Sequence, residues 1–292
     1  MLSIHQRHDQ YTKIFRGIRL FKKFILFILI VSSSVSFAQK REIAITIDDL
    51  PFVGESKNFH LDMIINTLKS NEIPAIGFVI AKEVAPNNWE MLNKFRESGF
   101  DLGNHTLTHA NLSNMSAEAY ISNIEAADQI LSKVLSRPKY FRYPYLSMGE
   151  GQKKAKVLNY LASKNYQIAP ISIDSKDFVF NQLLLAVPEK DRRNFLAVLK
   201  HSYLDFIWLQ TIKAEEQSKA AQKPDEAQIL LIHANLLNAY VLPDIINLYK
   251  QNGFTFISLN DALKSSRLKI KLQKPEEKQI NLFSHDLDTG WN

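Results

Sequence analysis

Two pairs of side chains in this sequence have the types and spacing of a catalytic metal site. Asp48 and Asp49 are adjacent, and His105 and His109 lie four positions apart further along the chain. Two neutral imidazoles and one carboxylate can hold a divalent ion and leave coordination positions free for water and substrate. The remaining carboxylate can then remove a proton from the attacking water as a general base. The pattern therefore predicts metal-dependent hydrolysis.

The ligand types favour zinc, although other first-row metals accept the same donors. We expect one divalent ion, with Zn²⁺ as the first choice and Co²⁺, Ni²⁺, Mn²⁺ or Fe²⁺ as alternatives. Each part of the pattern also has a simpler explanation when taken alone. An Asp-Asp pair is common in solvated turns, Arg142 could be a surface ion-pair partner, and His233 could be a buried, hydrogen-bonded histidine. The functional interpretation depends on their joint occurrence.

The elements that would position these residues alternate between short β-rich runs and helical patterns. This alternation is typical of βα units around a parallel sheet. We predict strands over 42–47, 75–80, 100–103, 139–142, 167–173, 228–232 and 254–258, and helices over 61–70, 89–98, 116–135, 152–164, 191–221 and 243–251. Together with the chain length, the pattern predicts an α/β fold, a distorted (β/α) barrel of about seven parallel strands with a helical insertion before the last strands.

The candidate polar residues fall at the C-terminal ends of the predicted strands. The Asp pair follows the first strand and His105 follows the third. In a (β/α) barrel this end of the sheet is the catalytic face. We therefore expect these residues to meet at one site, together with later residues that also follow strands: Arg142, Asp174, Asp177 and His233.

Composition and charge exclude several classes of function. The formal net charge of the sequence is +6, but the first 38 residues carry six Arg or Lys against one acid, which leaves about +1 for the rest. Nothing in this balance indicates nucleic-acid binding or a polybasic membrane patch. The sequence has no cysteine, which excludes disulfides and thiol chemistry.

Residues 1–38 have the pattern of a secretory signal peptide. A basic stretch ends at Lys23, an apolar run follows over 24–31, and a small-residue segment ends at Ala38. We predict cleavage before Gln39, export to the periplasm or the extracellular space, and one domain over 39–292. The alternative is an uncleaved segment that tethers the protein, but the apolar run is shorter than the roughly 20 residues of a spanning helix. After cleavage we expect no stable membrane span.

Five short motifs over about 42–263 resemble those of the polysaccharide deacetylase family, the NodB-like group also called carbohydrate esterase family 4. They occur in the order of the family motifs: TIDD at 46–49, HTLTH at 105–109, RYPY at 142–145, DSKDF at 174–178 and LIH at 231–233. In the first two motifs, the resemblance implies that Asp48 is the general base and that Asp49, His105 and His109 bind the metal.

The later motifs imply the remaining roles. The resemblance implies that Arg142 orients the base and that Tyr145 helps to form the substrate groove and the oxyanion site. It implies that His233 is the general acid. An imidazolium can give a proton to a leaving amine near neutral pH, and a carboxylate partner stabilises it. We expect Asp177 to be that partner, with Asp174 as the alternative. Further substrate-binding candidates are Leu231, Phe178 and Asp174.

The sequence departs from the family pattern at three positions. Leu50 replaces the usual glycine after the Asp pair, and we expect it to fill space beside the metal that a sugar chain would otherwise occupy. Phe178 replaces the more usual tryptophan of the fourth motif. Ala234 replaces an acid after His233. The first departure affects the expected substrate range, whereas the other two leave the core chemistry intact.

Two segments lie outside the motifs. The region of about 178–227 is mostly helical in pattern and is interpreted either as an extra packed helix pair or as a lid over the sugar groove. The polar tail of about 264–292 is expected to cover the surface and to pack through Leu282, Phe283 and Trp291.

The resemblance implies a hydrolase that removes acetyl groups from N-acetylated amino sugars in a chitin-like or peptidoglycan-like polysaccharide. The alternatives are an esterase that removes O-acetyl groups from xylan, a hydrolase of another non-peptide C–N bond such as a cyclic amide, and an exported carbohydrate-binding protein without turnover. The expected partner is an acetylated glycan, with no nucleic acid, and the protein is expected to be a monomer.

Overall fold

The computed structural model describes residues 40–51, 57–270 and 272 of the chain. The predicted signal peptide and most of the tail, including Leu282, Phe283 and Trp291, lie outside these residues. The strands are β1 (Glu42–Leu50), β2 (Ala75–Val79), β3 (Asp101–Asn104), β4 (Lys139–Phe141), β5 (Tyr166–Ile168), β6 (Ile173–Asp174), β7 (Gln228–His233) and β8 (Thr255–Phe256). The helices are α1 (Lys57–Ser70), α2 (Trp89–Glu97), α3 (Ala117–Ile130), α4 (Gly151–Ser163), α5 (Asp177–Ala186), α6 (Glu189–Ala220), α7 (Leu236–Gln251) and α8 (Leu259–Ser265).

The strands form one parallel sheet in the order β5-β4-β3-β2-β1-β7-β6, and β8 pairs with the start of β1. The sheet curls into a half-barrel. It is open between its two edge strands, since within the described residues no ladder joins β5 to β6. The expected distorted (β/α) barrel of about seven parallel strands is confirmed.

Strand β1 lies in the middle of the sheet and is apolar on both faces. Its residues Ile43, Ile45 and Ile47 pack in the core between the sheet and the helices. Ala44 points the other way, into a smaller cluster inside the curl of the sheet with Phe78 and other residues. Both faces are buried because helices cover the outside and side chains fill the inside, as is usual in parallel sheets.

Several element boundaries differ from the prediction, and three of the differences have a clear physical reason. The predicted strand over 167–173 is two strands, β5 and β6, separated by a segment that contains Pro170, which has no N–H for a sheet ladder. Helix α3 ends at Ile130 and not at residue 135. The prediction was too long because Leu131, Val134 and Leu135 continue the apolar pattern in a buried turn after the helix. Helix α7 begins at Leu236, where the side chain of Asn235 accepts a hydrogen bond from a backbone N–H of the first turn.

Helices α5 and α6 occupy the region expected to be a helical insertion, between β6 and β7. Helix α6 is 32 residues long. Its buried side chains recur at every third or fourth position, so one narrow face packs against the body of the domain. Among the described residues, no helix combines the length and the apolar character needed to cross a bilayer.

Candidate active site

The candidate residues meet at the C-terminal edge of the sheet, around a cavity of about 600 Å³. Asp48 and His233 are register partners on the adjacent strands β1 and β7. His105 and Arg142 directly follow β3 and β4. The cavity is lined by Asp48, Asp49, His105, His109, Tyr145, Leu146, Asp174, Lys176, Phe178, Asn181, Gln182, Leu185, Leu231, His233 and Asn235.

Asp49, His105 and His109 have the geometry of a metal site. Asp49 Oδ1 lies 3.6 Å from His105 Nε2 and 3.4 Å from His109 Nε2. Two donors that each lie about 2.05 Å from a tetrahedral ion are roughly 3.3 Å apart. The buried Oδ1 of Asp49 has no hydrogen-bond partner among the described residues, which a bound cation would supply. The donor types and their separations therefore fit a divalent ion.

His105 is held in the state that a metal ligand needs. Its Nδ1 lies 2.9 Å from the backbone oxygen of Arg142, so that nitrogen carries the proton and Nε2 faces the two aspartates. Burial lowers the pKa of His105 to about 3, because the surroundings disfavour the charged ring. The imidazole is neutral at physiological pH and keeps its lone pair for a cation.

The backbone around the ligands adopts left-handed conformations that are costly for residues with a side chain. The φ angles are 63° at Asp49, 69° at Thr106 and 54° at His109. Such values are uncommon for any residue except glycine and unusual for a β-branched threonine. His105 and His109 lie in the loop between β3 and α3, and these conformations bring the two rings to a centroid distance of 4.9 Å.

An irregularity at the end of β1 lets both aspartates reach the cavity. Ile47 pairs with Gly77 and Leu50 with Val79, so β1 contains one more residue than β2 between these pairs. In a regular strand Asp48 and Asp49 would point to opposite faces. The extra residue and the left-handed Asp49 turn both carboxylates to the same side.

The same irregularity contradicts the expectation that Leu50 fills space beside the metal. Leu50 is fully buried with Ile47 in the core between the sheet and the helices. Its side chain occupies the space beside Gly77, where an added Cβ would lie only 2.5 Å from Leu50 Cδ1. Leu50 therefore does not narrow the cavity.

Asp48 and Arg142 form a buried pair beside the candidate metal site. Asp48 Oδ2 lies 3.7 Å from Arg142 Nη1, and the Oδ1 of Asp48 has no hydrogen-bond partner among the described residues. Burial raises the pKa of Asp48 above its ordinary value, and the charge of Arg142 opposes that rise. Arg142 is fixed in turn by a 2.9 Å hydrogen bond from Nη2 to Thr46 Oγ1 and by the ring of Phe78, 4.8 Å away.

His233 and Asp177 form a second pair across the cavity. Their Nδ1 and Oδ1 atoms are 2.6 Å apart, and Asp177 is fully buried at the start of α5. Burial would lower the pKa of His233, but the negative charges of Asp177, Asp48 and Asp49 outweigh it and raise the pKa to about 10. Burial would likewise raise the pKa of Asp177, but the imidazole and several hydrogen bonds keep it below its ordinary value.

The remaining candidates lie around the cavity. Asp174 does not contact His233 through a hydrogen bond and is 2.6 Å from the Nζ of Lys176. Tyr145 is 64 % exposed at the rim, with its ring centroid 4.5 Å from that of His109. Phe178 presents its ring edge to His233, and Leu231 lines the floor as a buried side chain.

Several residues of the site were not found from the sequence. Thr46 holds Arg142, and Asn235 and Asn238 donate hydrogen bonds to Asp177. Helix α5 adds Asn181, Gln182 and Leu185 to the cavity wall. Their spacing from Phe178, three, four and seven positions, is the helical pattern that could have indicated a shared face.

Comparisons with known proteins agree with the motifs. Residues 37–169 match the polysaccharide deacetylase family. The chain is 28% identical to a peptidoglycan-N-acetylglucosamine deacetylase of Bacillus cereus, over 48% of this chain and 47% of that protein. It is 28% identical to a chitin deacetylase of Colletotrichum lindemuthianum, over 48% and 54% respectively. The chain thus spans about half the length of the curated relatives it matches. The family match includes the metal-site residues but ends before Asp174, Asp177 and His233.

Solved structures with the same fold include both enzymes and a pseudoenzyme. The peptidoglycan deacetylase PdaC of Bacillus subtilis aligns with a TM-score of 0.54 at 21% identity, over 78% of this chain and 92% of that one. BA3943 of Bacillus anthracis, a pseudoenzyme of carbohydrate esterase family 4, aligns with a TM-score of 0.54 at 17% identity, over 76% and 65%. The structural likeness establishes the fold, and the resemblance to the family is confirmed.

Proposed function

We propose that this member of the polysaccharide deacetylase family is a metal-dependent hydrolase that removes acetyl groups from N-acetylated amino sugars of a cell-wall or extracellular polysaccharide. The observation that carries the proposal is the arrangement around one cavity of three residues that could hold a metal, a spare carboxylate at Asp48 on β1, and His233 on the adjacent strand β7, hydrogen-bonded to Asp177 of α5. This arrangement supplies a base and an acid on either side of a reacting carbonyl.

Asp49, His105 and His109 would hold the divalent ion, for which zinc is the first expectation and Co²⁺, Ni²⁺, Mn²⁺ and Fe²⁺ are alternatives. When bound, such an ion polarises the acyl carbonyl and lowers the pKa of the attacking water. The hydrogen bond from His105 Nδ1 to the backbone of Arg142 fixes the orientation of the ring and directs Nε2 toward the ion.

Asp48 acts as the general base. As water attacks the acetyl carbonyl carbon, the carboxylate of Asp48 accepts the proton that the water loses, and a tetrahedral intermediate forms. Arg142 keeps Asp48 ionised and oriented, since its guanidinium lies close to Oδ2 in a buried environment. A backbone N–H near Tyr145 would donate a hydrogen bond to the oxyanion, beside the positive charge that an ion held by Asp49, His105 and His109 would supply.

His233 acts as the general acid. As the tetrahedral intermediate collapses, the C–N bond breaks, and the imidazolium gives a proton to the departing amine nitrogen, which leaves acetate and a free amino sugar. Asp177 stabilises the charged ring and fixes its orientation through Nδ1, so that Nε2 is the nitrogen that donates. The substrate would contact Tyr145, Phe178 and Leu231, with Asp174 at the edge of the cavity.

A screen for acetate release tests the function. The purified protein, loaded with zinc, is incubated with chitin oligomers, peptidoglycan and acetylxylan, and its metal content is measured in parallel. We expect acetate from the first or second substrate and about one metal ion per chain. Acetate from acetylxylan alone would favour the O-acetyl esterase. Release of another product from a non-acetyl amide would favour the other C–N hydrolases. Binding of glycans without any product would make the chain a carbohydrate-binding protein.

The pKa values of the two pairs predict a bell-shaped pH profile for kcat. Asp48 must be ionised, and its pKa is raised, so activity rises with pH through a value above that of an ordinary carboxyl group. His233 must be protonated, so activity falls as pH rises toward about 10. A bound cation adds positive charge nearby and shifts both limbs to lower pH. Measuring kcat against pH in zinc-loaded and cobalt-loaded protein checks this shape, and a profile that keeps rising in alkali would rule out His233 as the acid.

The protein is also proposed to be exported, through cleavage of residues 1–38, and to work as a monomer outside the cytoplasm. Expression of the full chain in a bacterium with a secretory pathway should yield a product that begins at Gln39. N-terminal sequencing of the exported fraction checks the cleavage site. Recovery of the uncleaved chain in washed membranes would instead support the tethered alternative.

A further inference from the structure

The carboxylate of Asp177 accepts four hydrogen bonds. Its Oδ1 accepts from the ring Nδ1 of His233 at 2.6 Å. Its Oδ2 accepts from the backbone N–H of His233 at 2.6 Å, from the side-chain amide of Asn235 at 2.9 Å and from that of Asn238. A buried carboxylate with this many donors is held in a single orientation. The ring that it contacts is therefore oriented as well.

Asn238 uses both hydrogens of its amide and its carbonyl oxygen at this position. Its Nδ2 donates to Asp177 Oδ2 and to the backbone oxygen of His233, the second at 2.9 Å. Its Oδ1 accepts from the hydroxyl of Tyr203 at 2.9 Å. Rotating the amide by half a turn would set its oxygen against a carboxylate and a carbonyl, both of which only accept hydrogen bonds. The amide is thus fixed in one orientation from both ends.

Tyr203 belongs to helix α6, whereas Asn238 belongs to α7 and Asp177 to α5. Tyr203, Asn238 and Asp177 are all fully buried. A chain of hydrogen bonds therefore runs from Tyr203 on α6, through Asn238 and Asp177, to the ring of His233. A helix that only covered a groove would not need a buried hydroxyl at this place.

We infer that Asn238, held by Tyr203 of α6, is a positioning residue that orients the His233–Asp177 pair, and that α6 thereby supports the acid side of the active site. This inference rests on the proposed deacetylase function and adds residues to it. The other charges that face His233 are Asp48 and Asp49 of β1, and they attract the same ring. Without Asn238, the Oδ2 of Asp177 keeps two of its three donors, so the pair is held less firmly against that attraction.

Two substrates with different leaving groups distinguish a positioning role of Asn238 from a general effect on stability. An amine leaves an amide only with a proton, whereas a phenolate leaves an aryl acetate without one. In Asn238→Leu we expect kcat for a chitin oligomer to fall by roughly tenfold, the effect of losing a hydrogen bond to a charged group. In Tyr203→Phe, which loses a hydrogen bond between neutral groups, we expect a fall of about fivefold. We expect kcat for para-nitrophenyl acetate to change by less than about twofold, because it does not need the acid.

Tyr249→Phe is the matched control. The hydroxyl of Tyr249 on α7 lies 2.8 Å from that of Thr211 on α6, and both residues are fully buried, as are Tyr203 and Asn238. This variant loses one buried hydrogen bond between the same two helices. That bond is not part of the chain that joins Tyr203, Asn238 and Asp177. Its kcat should match that of the wild type on both substrates. Equal losses on the two substrates in Tyr203→Phe, or the same selective loss in Tyr249→Phe, would overturn the inference.

A measurement that does not need turnover separates this inference from the proposed function. In NMR spectra, the proton on Nδ1 of His233 should exchange slowly with water in the wild type and in Tyr249→Phe, and faster in Tyr203→Phe. If the wild type releases no acetate from any glycan but the exchange rates differ in this way, the function is wrong and the positioning role stands. If the rates are equal in all three proteins, the positioning role is wrong. Should Asn238→Leu fail to fold, Tyr203→Phe alone decides.

Discussion

Replacing Asp48 with asparagine is expected to lower kcat for acetate release by about 10²–10⁴-fold, the usual effect of removing a general base. Asparagine has nearly the shape of aspartate but cannot take a proton from water. KM should change little, because Asp48 is only 3% exposed and offers little surface to a bound glycan. Steady-state kinetics on a chitin oligomer, with metal content measured on the same samples, check the result.

The matched control is Asp101→Asn. Asp101 lies at the start of β3, at the opposite end of the sheet from the cavity, and pairs with Arg96 on a partly exposed surface. Its loss should leave kcat unchanged. If Asp48→Asn keeps full activity with one metal ion bound, the base is another group. If it loses its metal together with its activity, Asp48 is a ligand and its role must be exchanged with that of Asp49.

The fold and the meeting of the site residues could be predicted because both follow from short-range patterns. Several apolar runs of the sheet, among them β1, β3, β4 and β7, end at or just before a polar residue, and parallel strands bring their C-terminal ends to one edge. This was enough to expect Asp48, His105 and His233 at one place. The boundaries were harder, since Pro170 divides one predicted strand and the apolar residues after Ile130 continue a helical pattern without a helix.

The direction of individual side chains at the end of β1 could not be predicted. The expectation for Leu50 came from its place in the motif, where the family usually has a glycine, and the sequence did not indicate the direction of its side chain. One extra residue before Leu50 breaks the regular alternation of β1, and the left-handed Asp49 lies at this irregularity. A glycine at position 77 gives Leu50 the space it then occupies.

The supporting hydrogen bonds were also beyond sequence reasoning, because they join residues far apart in the chain. Thr46 contacts Arg142, and Tyr203 contacts Asn238, through single atoms whose positions depend on the packing of whole helices and strands. Periodicity places a residue on a face of a helix but does not identify the partner of its hydroxyl. These contacts nevertheless decide how firmly the proposed base, Asp48, and the proposed acid, His233, are held.

Replacing His109 with alanine is expected to remove the bound metal and to lower kcat by roughly 10³-fold or more, since a catalytic ion stabilises the transition state by several kcal/mol. His109 is the most informative ligand to change, because its side chain is 25% exposed while that of His105 is buried and hydrogen-bonded to the backbone of Arg142. Metal analysis by mass spectrometry should give about one ion per chain in the wild type and close to none in the variant. Chelation of the wild type should reproduce the loss, and added zinc or cobalt should restore activity to the wild type only.

His201→Ala provides the comparison for this change. His201 is an exposed histidine on α6 whose Nδ1 contacts the backbone oxygen of Ala197, and it lies outside the cavity. Its loss should leave both metal content and kcat as in the wild type. A His109→Ala protein that keeps one ion and its full activity would refute the triad, because two ligands of the present set cannot hold a catalytic ion in the three-ligand arrangement on which the proposed chemistry depends. Loss of metal with retained activity would be equally decisive, since the base and acid would then act without a cation.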